Sequence, residues 1–316
     1  MYHYVRHFKH GRYPDIKGMD YAHFKEQISY LNKHYQFITM EMLIDAIDHN
    51  TALPEKAVLL TFDDGYMEHF NVVFPLLNEL KIQGSFFPPV KAITHHIVLD
   101  TNKIHFILAA EKDKLKIIKE IKIELDKYRK DYNLESDSYY YDKLAHPSRY
   151  DPADIVFIKR LLQVELDETV RSKITNDLFE KIVDKNEESF SRELYMDMEQ
   201  IKCMHRNGMH IGSHGYNHYW LGTQTQETQK MEIEKSLVFL NQIGCDTNNW
   251  TMSYPYGNYN SSTIELLKAN NCKLAFTTEV NIANLEQYDK YTLPRLDAND
   301  IPANSQAIKN EWYFKG

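Results

Sequence analysis

The sequence is poor in cysteine, in long apolar runs and in any excess of positive charge. Its three cysteines, Cys203, Cys245 and Cys272, are odd in number and include no CxxC pair, which excludes both a disulfide framework and a thiolate metal site. They are expected as buried thiols in a reducing compartment. The longest apolar runs, such as 57–60 and 106–110, fall far short of the roughly 20 residues that cross a bilayer, so no membrane span is expected. Against 45 Asp and Glu stand 37 scattered Lys and Arg, a net charge of −8. Nucleic acid is therefore excluded as a partner, because its binders concentrate positive charge to replace phosphate counterions. The opening MYHYVRHFKHGRY has no continuous apolar core, so no secretory leader is read there and a cytoplasmic location is expected.

What is present is a chain of 316 residues, 43% hydrophobic, enough to bury a full core. From Met1 to Val90 short apolar runs alternate with amphipathic stretches, the pattern of an α/β fold with a mostly parallel sheet. Met1–Val5 reads as a strand. Tyr21, Phe24, Ile28 and Leu31 recur at helical spacing behind a capping Asp20. Residues 57–62 read as a buried strand, and 67–80 as a helix with Phe70, Phe74, Leu77 and Leu80 on one face. Residues 85–90 form a further strand stopped by Pro88 and Pro89. The texture then turns helical: 103–134 is rich in Lys, Glu and Ile, 136–150 is dense in tyrosine, and 151–184 carries an apolar stripe of Ile155, Ile158, Leu161 and Leu162. Strands resume at 209–211, 251–254, 274–277 and 291–293, with a helix over 225–243. The division expected is a β/α portion over 1–91 and 200–316, interrupted by a helical insertion over 92–199.

Three short segments, each directly after a predicted strand, carry chemistry. Thr61-Phe62-Asp63-Asp64-Gly65 sets two carboxylates where strand meets loop, the edge at which parallel α/β folds bind ligands; a plain Asp-Gly turn reads the same way. In Ser213-His214-Gly215-Tyr216-Asn217-His218 two imidazoles stand four residues apart and can face one metal ion, with Asp64 as the candidate third ligand, although a chain with 15 histidines also yields such pairs by chance. Ser253-Tyr254-Pro255-Tyr256-Gly257 can turn a backbone N–H toward a pocket, or simply reverse the chain.

In this order, TFDDG, SHGYNH and YPYG resemble the motifs of the polysaccharide deacetylase family, carbohydrate esterase family 4. The resemblance implies a distorted (β/α) barrel with fewer than eight strands. It implies Asp63 as general base, Asp64, His214 and His218 as ligands of a divalent metal, and a Tyr256 backbone N–H that stabilises the oxyanion, with Pro255 beside it against substrate. Zn²⁺ is the first expectation for the metal, with Co²⁺, Ni²⁺ and Mn²⁺ also suited to this donor set. The opening Tyr2-His3-Tyr4-Val5 resembles the first strand of some branches, which brings His3 toward the site as a catalytic candidate or leaves it in the core.

Two departures stand out. The arginine that many members carry two residues before the proline of the third motif is replaced by Ser253. The late Leu-x-x-His motif that supplies the usual acid is absent, since no histidine follows His218. Leu293-Pro294-Arg295-Leu296-Asp297 stands in its place, making Arg295 and Asp297 candidates for substrate contact or for a salt bridge closing the last strand. His3 or a protonated Asp63 remains as acid. The function expected is removal of an N-acyl group, N-acetyl first among them, from an amino sugar in a surface glycan or its cytoplasmic precursor. Deformylation and ester cleavage use the same site. The alternative is a catalytically inactive carbohydrate-binding or scaffolding protein on the same fold. Tyr139–Tyr141 and His146 in the insertion could cover the pocket, or serve as an oligomer contact or core.

Overall fold

The computed structural model describes residues 1–8, 11–148 and 151–315. They divide into two compact units, one of Met1–His7, Gly18–His96 and Arg192–Gly316, the other of Phe8–Lys17 and Ile97–Ser191.

The first unit is α/β. Its strands are short and their hydrogen-bonded pairings all parallel: Val5–Arg6 (β1) with Met19–Asp20 (β2), Gln36–Phe37 (β3) with Ala57–Val58 (β4), and Leu60–Asp63 (β5) with Gly84–Phe87 (β6). His210–Ile211 (β7) continues from β6, and Thr251–Ser253 (β8) pairs with Leu274–Phe276 (β9). Single parallel bridges join Tyr2 to Phe62, Ser213 to Met252 and Phe276 to Leu293, so one series of neighbours runs from Tyr2 through β5, β6, β7, β8 and β9 to Leu293. Ala298 N–H donates to the Met1 carbonyl at 3.1 Å, which brings the end of that series back to its beginning. Every residue of β5 and β6 is buried, as strands covered on both faces require. Alternation along β5 turns Thr61 and Asp63 to one side and Phe62 to the other, where Phe62 stacks between Tyr2 and Phe86 at centroid distances of 5.0 and 4.8 Å.

Local chemistry fixes the helix ends. Asp20 accepts from Ala22 N at the start of Tyr21–His34, and Thr225 caps Gln226–Ile243, which ends on Gly244. The helix Met40–His49, capped by Thr39, was not anticipated, although Met40, Leu43 and Ala46 follow helical spacing and are buried. Some expectations need correction: the strand read over 57–62 is divided between β4 and β5, and that read over 85–90 ends at Phe87, Val90 beginning the helix Val90–His95. Residues 69–73 form a π-helical turn before Phe74–Leu80; the wider turn shifts the register, so that His69, Val73 and Leu77 face inward while Leu80 is 47% exposed. The last expected strand, 291–293, keeps only the Leu293 bridge.

The second unit is helical. Asp100–Ala110 packs on Glu168–Val183, and Lys103, almost fully buried, pairs with Glu187 at 2.7 Å. The stretch read as one helical region from 151 to 184 breaks at Leu166, where Asp167 leaves the helix to cap Glu168–Val183. Tyr140 is buried and Tyr141 donates to Asp154 at 2.6 Å, so two of the three clustered tyrosines are engaged inside their own unit; Tyr150 lies outside the described residues. Among the described residues no helix is long and apolar enough to cross a membrane.

Candidate metal and catalytic site

The site lies in the first unit, where the carboxyl ends of β5, β7 and β8 pass into loops. Asp64, His214 and His218 are all buried, and one ligand atom from each lies within 4.8 Å of the others. Asp64 Oδ1 faces His214 Nε2 at 3.4 Å and His218 Nε2 at 3.3 Å. In two of these side chains the second polar atom is tied down: Tyr66 donates to Asp64 Oδ2 at 2.6 Å, and His214 Nδ1 meets the Ser253 carbonyl at 2.7 Å. That bond places the proton of a neutral imidazole on Nδ1 and turns the Nε2 lone pair inward. Asp64 Oδ1 itself is buried without a hydrogen-bond partner. A partnerless carboxylate oxygen facing two imidazole nitrogens is the donor set of a divalent cation, so the residues present fit such an ion.

Asp63, beside this cluster, is held by Arg295. The guanidinium spans the carboxylate, Nη1 to Oδ1 at 3.1 Å and Nη2 to Oδ2 at 2.8 Å, and also donates to Thr61 Oγ1, Ser253 Oγ and the Thr277 carbonyl. Ser253 Oγ in turn donates to Asp63 Oδ2 at 3.1 Å. Burial alone would raise the Asp63 pKa; Arg295, with His214 and His3, outweighs it and holds the carboxyl far below the ordinary range. Asp64 is drawn down the same way, burial being overcome by the two imidazoles.

The backbone is strained where the chemistry gathers. Asp64, His218 and Tyr256 are non-glycine residues with φ of 72°, 62° and 58°, a left-handed conformation that costs such residues energy and clusters at functional sites. Tyr256 follows the buried Pro255. Its ring meets His218 edge-on at 4.8 Å and stacks on Trp220 at 4.4 Å.

Residues 50–125 and 173–275, more than half of the chain, match the family described as polysaccharide deacetylase. The chain belongs to the polysaccharide deacetylase family. The poly-β-1,6-N-acetyl-D-glucosamine N-deacetylase of Escherichia coli is 43% identical over 54 residues, 17% of this chain. The chain spans 8% of the length of that curated relative. The deacetylase PplD of Streptococcus pyogenes, solved in complex with acetate, superposes with a TM-score of 0.56 at 17% identity, covering 93% of this chain and 88% of that one. IcaB from Ammonifex degensii superposes at 0.52 and 19%, with the same coverages. At these identities the two structures establish a shared α/β fold.

Within this member of the family the three sequence motifs converge, and the late segment takes structural roles rather than that of a substrate contact. Arg295 was a candidate for substrate contact, but all five of its N–H donors are spent on protein acceptors, which leaves none for a sugar. Asp297, the other such candidate, caps the short turn 298–300 by accepting from Asn299 N. His3 stands close enough to influence the ionisation of Asp63, Asp64 and His218, and its carbonyl is bound to His69 Nε2 at 2.8 Å. Sequence reasoning missed Tyr66, Trp220 and Glu232. Glu232 had a signal, since a carboxylate beside Ile233 shares the buried stripe of its helix with Gln229 and Ser236.

Proposed function

We propose that the protein is a metal-dependent hydrolase that removes an N-acyl group, N-acetyl first among them, from an amino sugar of a polysaccharide or its precursor. The observation that carries this reading is the convergence of Asp64, His214 and His218 on one point beside an Asp63 locked by Arg295. Family membership and the 54-residue likeness to a poly-N-acetylglucosamine deacetylase support the substrate class. The ring of parallel neighbours is read as a distorted barrel of fewer than eight strands, with substrate entering at the carboxyl ends of the strands.

Asp64, His214 and His218 would hold the ion, with Zn²⁺ proposed. Such a cation, when bound, supplies polarisation of an acyl carbonyl and acidification of water. Asp63 is the base. Arg295 keeps it ionised and fixes its plane, while Oδ1, carrying one hydrogen bond, retains acceptor capacity for a water proton. Arg295 thereby supplies the positive charge beside the base that Ser253, which gives it only a neutral hydrogen bond, cannot, and this weakens the alternative of a binding protein without turnover. The Tyr256 N–H is assigned to the developing oxyanion, a contribution of about 3 kcal/mol for one donor. His3, its backbone anchored by His69, is assigned to protonate the departing amine.

The test is acetate release from N-acetylglucosamine oligomers by chelated and Zn²⁺-reconstituted protein. Turnover that appears only on reconstitution is expected. Asp63→Asn should bind Zn²⁺ normally yet lose about 10²–10⁴-fold in kcat. Oligomers bound but never hydrolysed by reconstituted protein would establish the non-catalytic alternative.

A further inference from the structure

The loop that joins the two imidazoles is clamped from both sides. The carbonyls of Gly215 and Tyr216 accept from the backbone N–H groups of Val90 and Lys91 at 3.1 and 2.9 Å. On the opposite side the N–H groups of Tyr216 and Asn217 both donate to Glu232 Oε2, at 2.9 and 2.8 Å, and Asn217 Nδ2 donates to Oε1 at 2.5 Å. Glu232 is completely buried, and a side chain on Gly215 would press on its Oε2, the ideal Cβ lying 3.3 Å away. The clamped segment begins at Gly215 and ends at His218, both left-handed, with φ of 74° and 62°. Glycine takes this conformation freely, but His218 carries a Cβ and holds it only where its surroundings over-determine it.

We infer that Glu232 is a positioning residue that pre-forms the His214–His218 loop, so that the two imidazoles face Asp64 before any metal arrives. A carboxylate suits this task because it offers only acceptors, and all three groups that reach it are donors. Its hydrogen bonds go to Tyr216 and Asn217 rather than to the imidazoles, so it acts by fixing the peptide units between them. This rests on the metal-site reading above, and predicts that Glu232 governs metal affinity more than it governs folding.

The experiment measures Co²⁺ and Zn²⁺ binding by calorimetry and the visible spectrum of the Co²⁺ form, in wild type, Glu232→Gln and Glu232→Leu. Leucine removes every acceptor; affinity should fall about 10- to 100-fold and the Co²⁺ bands should shift or weaken. Glutamine keeps one oxygen for the two backbone donors, and Asn217 can turn its amide to present oxygen, so affinity should recover to within about threefold of wild type. A folded Glu232→Leu protein with wild-type affinity and spectrum would overturn the inference. Should that variant not fold, amide hydrogen exchange of the wild-type apoprotein decides: Tyr216 and Asn217 protected without metal supports the clamp, and rapid exchange there overturns it. A wild type that binds neither ion sinks the metal reading instead, while protected Tyr216 and Asn217 amides would still uphold the clamp.

Discussion

Asp63 and Arg295 show how one residue pair can decide both stability and chemistry. The pair is buried and joined by two parallel hydrogen bonds, so deleting one partner leaves a stranded charge. Arg295→Met should cost about 3–5 kcal/mol at pH 7. In the wild type the Asp63 pKa is depressed below its ordinary 3.8, so the stabilisation is complete above that value and fades as pH falls further. In the variant, burial pushes the same pKa up, so the penalty disappears once the carboxyl is protonated. The gap between the two proteins should therefore narrow steadily as urea unfolding is repeated from pH 7 down to pH 4 and below; a constant gap would contradict the pairing. His69 supplies a second titration. Burial lowers its pKa from 6.5 to about 4, and its Nδ1 has no hydrogen-bond partner, so charging it strands a buried N–H. The unfolded chain binds the proton first, so stability is lost as pH falls from 6.5 to 4, by about 3 kcal/mol. His69→Gln should flatten unfolding free energy against pH across that window. At this scale the sequence was readable where candidate site residues share a short motif, as Asp63 with Asp64 and His214 with His218 do. Arg295 lies 232 residues from the carboxylate it binds, and nothing local marks such a pair.

Elements were legible wherever a cap or a period spoke clearly. Asp20 announced its helix as a cap, and the mostly apolar texture of 57–62 announced strand, which the structure divides between β4 and β5. The helix over 67–80 was read at its right place, but its buried face was misread for a physical reason: a π-turn adds a residue to one turn, and a 3.6-residue template then points to the wrong face. The loops at the strand ends were legible as sites but not as strained backbone. Gly257 illustrates the constraint, for its φ is 66° and a methyl group there would collide with Thr278 Oγ1 and its backbone nitrogen. Gly257→Ala should lower stability by about 1–3 kcal/mol and reduce turnover by displacing Tyr256. Thermal unfolding and acetate release measured together check both, and a variant unchanged in each would show that the turn is free to relax.

For the molecule as a whole, metal binding and folding should be one linked equilibrium. An ion that binds only the folded chain stabilises it by about 2.7 kcal/mol at a hundredfold excess over Kd. Zn²⁺ should raise the unfolding temperature by several degrees in wild type and leave His214→Ala unmoved; equal shifts in both would place the ion elsewhere. The α/β class followed from hydrophobic patterning, but the pairing that unites the strands crosses long stretches of chain. Phe86 and Ile211 are neighbours about 125 residues apart in sequence, and closing that span is costly and slow. The helical unit bears directly on the cost. Its two ends are joined by its own bonds, Ser191 Oγ to the Ile97 carbonyl at 3.0 Å and Val98 N to Glu187 at 2.9 Å. Folded first on the ribosome, it would turn a 125-residue closure into one of about 30, saving about 1 kcal/mol and holding the growing β-strands ready for partners still being synthesised.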